Sequence, residues 1–156
     1  MKTQVKITEL TKEDLVDLFS TAFYGSNYLS VGYEAENDEK DGYCEGTMAN
    51  VLLNGKSIRV TDRYADGCHY GELPCQLNEE YDAIYTLRLE DIIAGLERSA
   101  NGTFNTRKDV SANFADKNEM FAKRSFEAFA WNGRDWDAIT ADCLMQIILF
   151  DEIVYG

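Results

Sequence analysis

Two segments of the sequence alternate polar and apolar residues, and this period of two limits the possible folds more than any other feature. Ile58 and Val60 share one face of residues 57–62, and residues 81–87 repeat the pattern. Such alternation is typical of strands with one buried face, which pair in antiparallel sheets. Residues 28–33, rich in aromatic and β-branched side chains, predict a third strand, and residues 153–155 a short fourth one.

Segments with helical period flank these strands. Thr11 is a suitable N-cap for a first helix that Gly25 ends. Residues 46–53 and 89–98 predict two further helices, and Thr140 is expected to cap a final one. Residues 101–118 are polar and unpatterned, and residues 120–131 fit neither period. The apolar residues expected to share one core are Leu15, Phe19, Phe23, Ile92, Leu96, Leu144 and Ile148.

These patterns predict an α+β fold in which a small antiparallel sheet packs against three to four helices. We expect residues 1–156 to form a single α+β domain, because a chain of 156 residues has the usual size of one domain. With 45% hydrophobic and 12% aromatic residues, the chain is too apolar to be disordered.

The chain carries 28 acidic and 15 basic side chains, a formal net charge of -13. This charge repels phosphate backbones, so direct nucleic-acid binding is not expected. It attracts basic surfaces, and proteins that hold DNA or RNA are the most abundant source of these. The alternative is that the charge serves solubility alone.

The acidic residues fall into three patches. The second comprises Glu72, Glu79, Glu80 and Asp82, and the third comprises Asp135, Asp137, Asp142, Asp151 and Glu152. If two patches align, their carboxylates imitate a phosphate track and fit the cleft of a nucleic-acid-binding protein. The first patch is the predicted partner-binding segment: Glu34, Glu36, Asp38, Glu39, Asp41 and Glu45.

Residues suited to catalysis are scarce. The single histidine, His69, lies in a glycine-bearing loop, and histidine is the usual general acid or base near neutral pH. Asp135 and Asp137 are better explained by an exposed turn than by a catalytic pair. The chain also lacks a glycine-rich phosphate loop. We therefore expect no catalytic residue, no cofactor and no enzymatic activity.

The four cysteines form no C-x-x-C pair. In a reducing cytosol we expect them to remain thiols, with Cys143 in the core. Cys68, His69 and Cys75 offer soft metal ligands and Cys44 a fourth, but an adjacent Cys-His pair is awkward for one tetrahedral ion. No metal site is predicted, and a small metal-binding protein or enzyme centred on Cys68, His69 and Cys75 remains the alternative.

The first seven residues lack a cationic segment followed by a long apolar run, so we expect no secretory signal. The longest apolar stretch, residues 144–150, is interrupted by Gln146 and is too short to cross a membrane. We therefore expect a cytoplasmic protein that has no membrane partner.

Three parts of the chain form a characteristic set: residues 10–15 leading to 22–25, residues 85–90, and residues 141–144 continuing through 150–156. Together they resemble small acidic proteins of phages and prophages in gut-associated bacteria. The chain departs from the family where residues 25–29 replace a Gly-Gly pair and a tryptophan, and in the insert at 101–117. The family has no established activity, so the resemblance assigns no functional residue.

The resemblance implies a mobile-element origin and a bacterial host cell. Phage accessory proteins of this size often inhibit host proteins, including restriction and CRISPR nucleases. Together with the charge, this predicts a non-catalytic protein that binds a basic host protein, such as a nucleic-acid-binding nuclease, as an acidic mimic of nucleic acid. A phage assembly factor is a further alternative, which a defined oligomer would favour.

Overall fold

Five helices and four strands make up the described part of the chain. The computed structural model describes residues 4–24, 26–33, 45–65, 71–105, 112–131 and 136–155. In chain order, the elements are α1 (Lys12–Tyr24), β1 (Leu29–Tyr33), α2 (Glu45–Leu53), β2 (Ile58–Asp62), β3 (Cys75–Leu77), β4 (Ala83–Leu87), α3 (Leu89–Asn101), α4 (Ala112–Ala130) and α5 (Ala138–Phe150).

The strands form one antiparallel sheet in the order β1-β2-β4-β3. Val60 pairs with Val31 on one side and with Tyr85 on the other. Alternate residues of β2 and β4 are buried, because the sheet packs one face on the helices. The predicted α+β fold and the pairing of these two strands are confirmed. Strand β3, only three residues long and mostly exposed, was not predicted.

The helix starts and stops that the sequence predicts are largely confirmed. Thr11 Oγ1 accepts a hydrogen bond from the Asp14 amide, and Asp14 Oδ2 accepts one from the Thr11 amide, which forms a reciprocal cap. Helices α2 and α3 lie where periodicity placed them. Gly102 closes α3 in the left-handed conformation, with φ of 66°. Gly25 lies outside the described residues.

Helix α4 corrects the prediction of three to four helices, since it occupies a region assigned no secondary structure. Its buried positions are small or polar: Ala122, Ser125 and Ala128 recur at intervals of three. A face built from alanine and serine gives little apolar periodicity, although it lets helices approach closely. Because its inward-facing residues are small, the sequence of α4 shows no clear helical pattern of apolar residues.

Two further expectations about the C-terminal region were wrong. Asp137, not Thr140, is the N-cap of α5, where its side chain accepts from the amides of Ile139 and Thr140. Residues 153–155 form no strand. Instead, a side chain of α5 holds their backbone, as described below for the cleft.

Helix α5 lies at the centre of the fold. From Thr140 to Phe150 every residue except Asp142 is buried, and the helix packs against α1, α3 and α4. The predicted core is confirmed, with Phe23 half-buried at its margin. Cys143 is buried as expected, in a smaller cluster with Phe104, Ala122 and Ile147.

Helices α3 and α5 approach each other at Gly95. A Cβ atom at this position would lie 2.5 Å from Ile148 Cγ1 and 2.7 Å from Ile148 Cα. A contact with a backbone atom cannot be relieved by rotating a side chain. Gly95 therefore sets the spacing between the two helices.

We expect Gly95→Ala to lower the free energy of unfolding by about 1 to 3 kcal/mol, because overpacking outweighs the better helix propensity of alanine. Gly46→Ala in α2 is the matched control. Its Cβ would meet only Lys12 Cε at 3.9 Å, so it should raise stability by about 0.4 to 1 kcal/mol. Urea denaturation measures both, and stabilisation by Gly95→Ala would contradict the proposed spacing.

Candidate binding cleft

An open cleft of about 770 Å³ lies beside the N-terminal half of α5. Ala22 at the end of α1, Tyr28 before β1, Phe121 of α4, Asp142 of α5 and Val154 of the C-terminal segment contribute to its walls. Most of its lining surface is apolar. The few polar groups therefore decide which ligands the cleft can accept.

Asp142 is the carboxylate of the cleft, and two neighbours fix its position. The Tyr28 hydroxyl donates a hydrogen bond to Asp142 Oδ1, and the two oxygen atoms are 2.5 Å apart. Gln146, one helical turn further along α5, donates from Nε2 to Oδ2 at 2.7 Å. Each carboxylate oxygen accepts one hydrogen bond from a described residue, so the group is held in place before any ligand arrives.

Gln146 also holds the segment that follows α5. Its Oε1 accepts from the backbone amides of Val154 and Tyr155, each at 2.8 Å, and its Nε2 donates to the Tyr155 carbonyl at 3.0 Å. Only 1% of this side chain is exposed. The buried carboxamide of Gln146 thus makes the backbone hydrogen bonds that a neighbouring strand would otherwise make. Residues 153–155 therefore do not form a strand.

Three tyrosines form one wall of the cleft. The rings of Tyr28 and Tyr64 stack with centroids 5.8 Å apart, and Tyr155 meets Tyr28 edge-on at 4.7 Å. The Tyr155 hydroxyl donates a hydrogen bond to Asp62 Oδ2 at 2.7 Å. Asp62 Oδ1 accepts a hydrogen bond from the Tyr64 amide. Asp62 is fully buried, so a rigid acceptor anchors the wall. Tyr64 is 58% exposed and offers its ring to a ligand.

Two titratable groups of the cleft, Tyr28 and Cys143, have raised pKa values. Burial, the hydrogen bond to Asp142 and the negative charges of Asp142 and Asp62 raise the pKa of Tyr28 well above its usual value. Burial raises the pKa of the Cys143 thiol to about 12, although a hydrogen bond with Ser125 acts in the opposite direction. Both groups stay protonated at neutral pH, so neither is a base or a strong nucleophile there.

The charge of the cleft is negative. Among its described lining residues there is one carboxylate, Asp142, and no lysine, arginine or histidine. Arg63 lies nearby, where its Nη2 donates to the Asn27 carbonyl at 3.0 Å on an exposed surface. Solvent screens that exposed charge, whereas Asp142 is half-buried and more weakly screened.

The predicted partner-binding segment lies almost wholly outside the described residues. Glu34, Glu36, Asp38, Glu39 and Asp41 fall in the range 34–44, and Glu45 begins α2 as a half-buried residue. Of this segment the structure describes only Glu45, which is not among the described lining residues of the cleft.

The third acidic patch does not present its described members as one exposed surface. Asp137 caps α5 and Asp142 lies in the cleft. Asp151 pairs with Arg98 at 2.7 Å, and Glu152 is buried at 7% exposure. Asp135 lies outside the described residues. The described carboxylates of this patch therefore occupy four different settings: a helix cap, the cleft, an ion pair and a buried position.

Cys75, one of the three residues considered for a metal, is disulfide-bonded, and its partner lies outside the described residues. The expectation that all four cysteines are thiols was therefore wrong, because sequence spacing does not reveal which sulfurs the fold brings together. Cys68 and His69 also lie outside the described residues. Within the described ranges, no group of three or more histidine, cysteine or acidic residues could hold a metal ion.

Sequence reasoning missed most of the cleft. The strands and helices placed Tyr28, Tyr64 and Tyr155 far apart along the chain, and only tertiary packing unites them. One signal was present: Gln146 interrupts the longest apolar run of the sequence. A buried polar side chain in an apolar helix requires partners, and here those partners are cleft residues.

Comparison with known proteins adds no assignment: the chain matches no family model, and no curated protein or solved structure is significantly similar to it. Separately, none of the helices in the described ranges has the length and apolar character needed to cross a membrane.

The raised pKa of Tyr28 predicts a pH effect on stability. In the unfolded chain Tyr28 ionises near its ordinary pKa of about 10, whereas in the folded chain it stays protonated. Its contribution is therefore complete below about pH 10 and declines as pH rises further.

Tyr28→Phe removes this ionisation and the hydrogen bond to Asp142. We expect wild type to be more stable than the variant at about pH 8 and to lose stability more steeply above about pH 10. Urea denaturation between about pH 8 and pH 11 measures both. Parallel pH profiles would show that the Tyr28 hydroxyl is not held as described.

Proposed function

We propose that this chain is a non-catalytic phage or prophage accessory protein that binds a basic host protein and holds a cationic side chain of that partner in the cleft. One observation carries the proposal: a fixed carboxylate and three tyrosine rings share a cleft whose described lining has no basic residue. Cations bind to carboxylates and to the faces of aromatic rings.

Electrostatics supports a basic partner at two ranges. The net charge of -13 attracts cationic surfaces from a distance and raises the association rate. At contact, Asp142 lies half-buried among apolar groups, where a charge interacts more strongly than it does in water. In this proposal the long-range attraction comes from the segment Glu34, Glu36, Asp38, Glu39, Asp41 and Glu45.

The class of partner follows from its charge. Proteins that hold DNA or RNA present basic grooves, and a host defence nuclease of the restriction or CRISPR type is the partner that the resemblance to phage proteins suggests. Among the described carboxylates of the third patch, Asp137 caps α5 and Asp151 pairs with Arg98. Any imitation of nucleic acid therefore depends on the first two patches and on Asp142.

The protonation of the cleft residues favours binding over catalysis. Tyr28 and Cys143 keep their protons at neutral pH, since burial raises the pKa of both. The described cleft residues include no histidine that could transfer a proton near neutrality. Hydrogen bonds occupy Asp142 and Gln146 in a fixed arrangement, which suits recognition.

The two alternatives lack comparable support. A metal site or enzyme centred on Cys68, His69 and Cys75 requires the Cys75 thiolate, and that sulfur is in a disulfide. An assembly factor would require a defined oligomer.

We expect Asp142→Asn to weaken binding of a hexapeptide of alternating arginine and lysine by about tenfold, because it removes the charge but preserves the size of the side chain. Isothermal titration calorimetry at low salt measures the affinity. Glu9→Gln, an exposed change of equal charge that lies before α1 and outside the three acidic patches, is the matched control and should have little effect.

Equal loss of affinity in the two variants would show that net charge alone attracts the peptide and that the cleft does not bind it. The same titration tests the acidic segment. Replacing Glu34, Glu36, Asp38, Glu39 and Asp41 by Gln or Asn should flatten the salt dependence of binding, since these charges act at long range.

A further inference from the structure

The hydrogen bonds around Asp142 make this point of the cleft favour groups that donate. The two donors that face the carboxylate are already used, because the Tyr28 hydroxyl and Gln146 Nε2 both donate hydrogen bonds to Asp142. Gln146 Nε2 also donates to the Tyr155 carbonyl. A ligand at this point therefore meets acceptors, which excludes anions and favours a group rich in N–H donors.

Toward the described residues, Asp142 keeps one acceptor position on each oxygen. A carboxylate oxygen has two lone-pair positions, and these residues use one on Oδ1 and one on Oδ2. Two acceptors on one planar group match the paired N–H groups of a guanidinium, which binds carboxylates through two parallel hydrogen bonds. An ammonium group is a point charge and gains nothing from this pairing.

The exposed ring of Tyr64 supplies the second element of recognition. Tyr64 stacks on Tyr28, whose hydroxyl contacts Asp142, so the ring face and the carboxylate belong to one connected unit. Planar guanidinium groups stack on aromatic rings more readily than ammonium groups do. Apolar neighbours such as Phe121 and Ile139 can contact the methylene groups of a long side chain.

We propose that the cleft binds the guanidinium group of a single arginine side chain of the partner protein. This inference rests on the proposed function, since it specifies the cationic group that the cleft holds. Asp142 receives the paired N–H donors, and the Tyr64 ring lies against the guanidinium plane. Arginine is then the side chain by which a basic partner is recognised, and lysine of equal charge is disfavoured.

Hexa-arginine and hexa-lysine, peptides of equal length and charge, test this inference by calorimetry at low salt. We expect the wild-type protein to bind hexa-arginine about tenfold more tightly, and Asp142→Asn to abolish that preference. Because the Asp142→Asn change places an amide N–H₂ group near Gln146 Nε2, a second variant is needed. Tyr64→Ala removes a largely exposed ring and should reduce the preference without loss of stability.

Tyr81→Gly is the control for Tyr64→Ala. Tyr81 is also largely exposed, lies in the turn between β3 and β4, and has a φ of 65° that glycine adopts readily. It should leave both affinities unchanged.

The outcomes separate the two proposals. Equal affinity of wild type for the two peptides, with weaker binding of both by Asp142→Asn, would overturn the arginine inference and leave the proposed function standing. A preference for arginine that persists in both cleft variants would also overturn the inference. Failure of wild type to bind either peptide would overturn the proposed function itself.

Discussion

The burial of α5 from Thr140 to Phe150, with Asp142 as the exception, is the constraint on which the rest of the structure depends. A helix that is apolar around its whole circumference must be enclosed, and α1, α3 and α4 surround it while the sheet completes the core. Gly95 permits the close approach of α3. Enclosure also means that any polar side chain on α5 must find its partners inside the protein.

Asp142 and Gln146 are the polar side chains affected most by this constraint, and their partners create the cleft. Gln146 secures residues 153–155 by three hydrogen bonds to their backbone, which places Tyr155 against Tyr28. Asp142 accepts a hydrogen bond from the Tyr28 hydroxyl and remains partly exposed to solvent. The hydrogen bonds that satisfy these buried polar groups thus also position a carboxylate among aromatic rings. The cleft lies there, beside the packed core.

The sequence predicted those elements whose local pattern agrees with their tertiary role. Strands β2 and β4 alternate because one face is buried, and Thr11 caps α1 through a purely local pair with Asp14. Helix α4 was missed because alanine and serine form its inner face. The cleft was missed for a different reason: its residues come from separate parts of the chain, and no local pattern records that Tyr28, Tyr64 and Tyr155 meet.

In the proposed function a basic partner engages the cleft around Asp142 and is not merely attracted by net charge. A set of ¹H–¹⁵N NMR spectra, recorded while hexa-arginine is added to the uniformly ¹⁵N-labelled protein, tests this engagement. We expect the largest shifts at the backbone amides of Tyr28, Tyr64, Ile139 and Asp142, with smaller changes at residues 34–45. Shifts confined to residues 34–45, with the cleft amides unmoved, would contradict it.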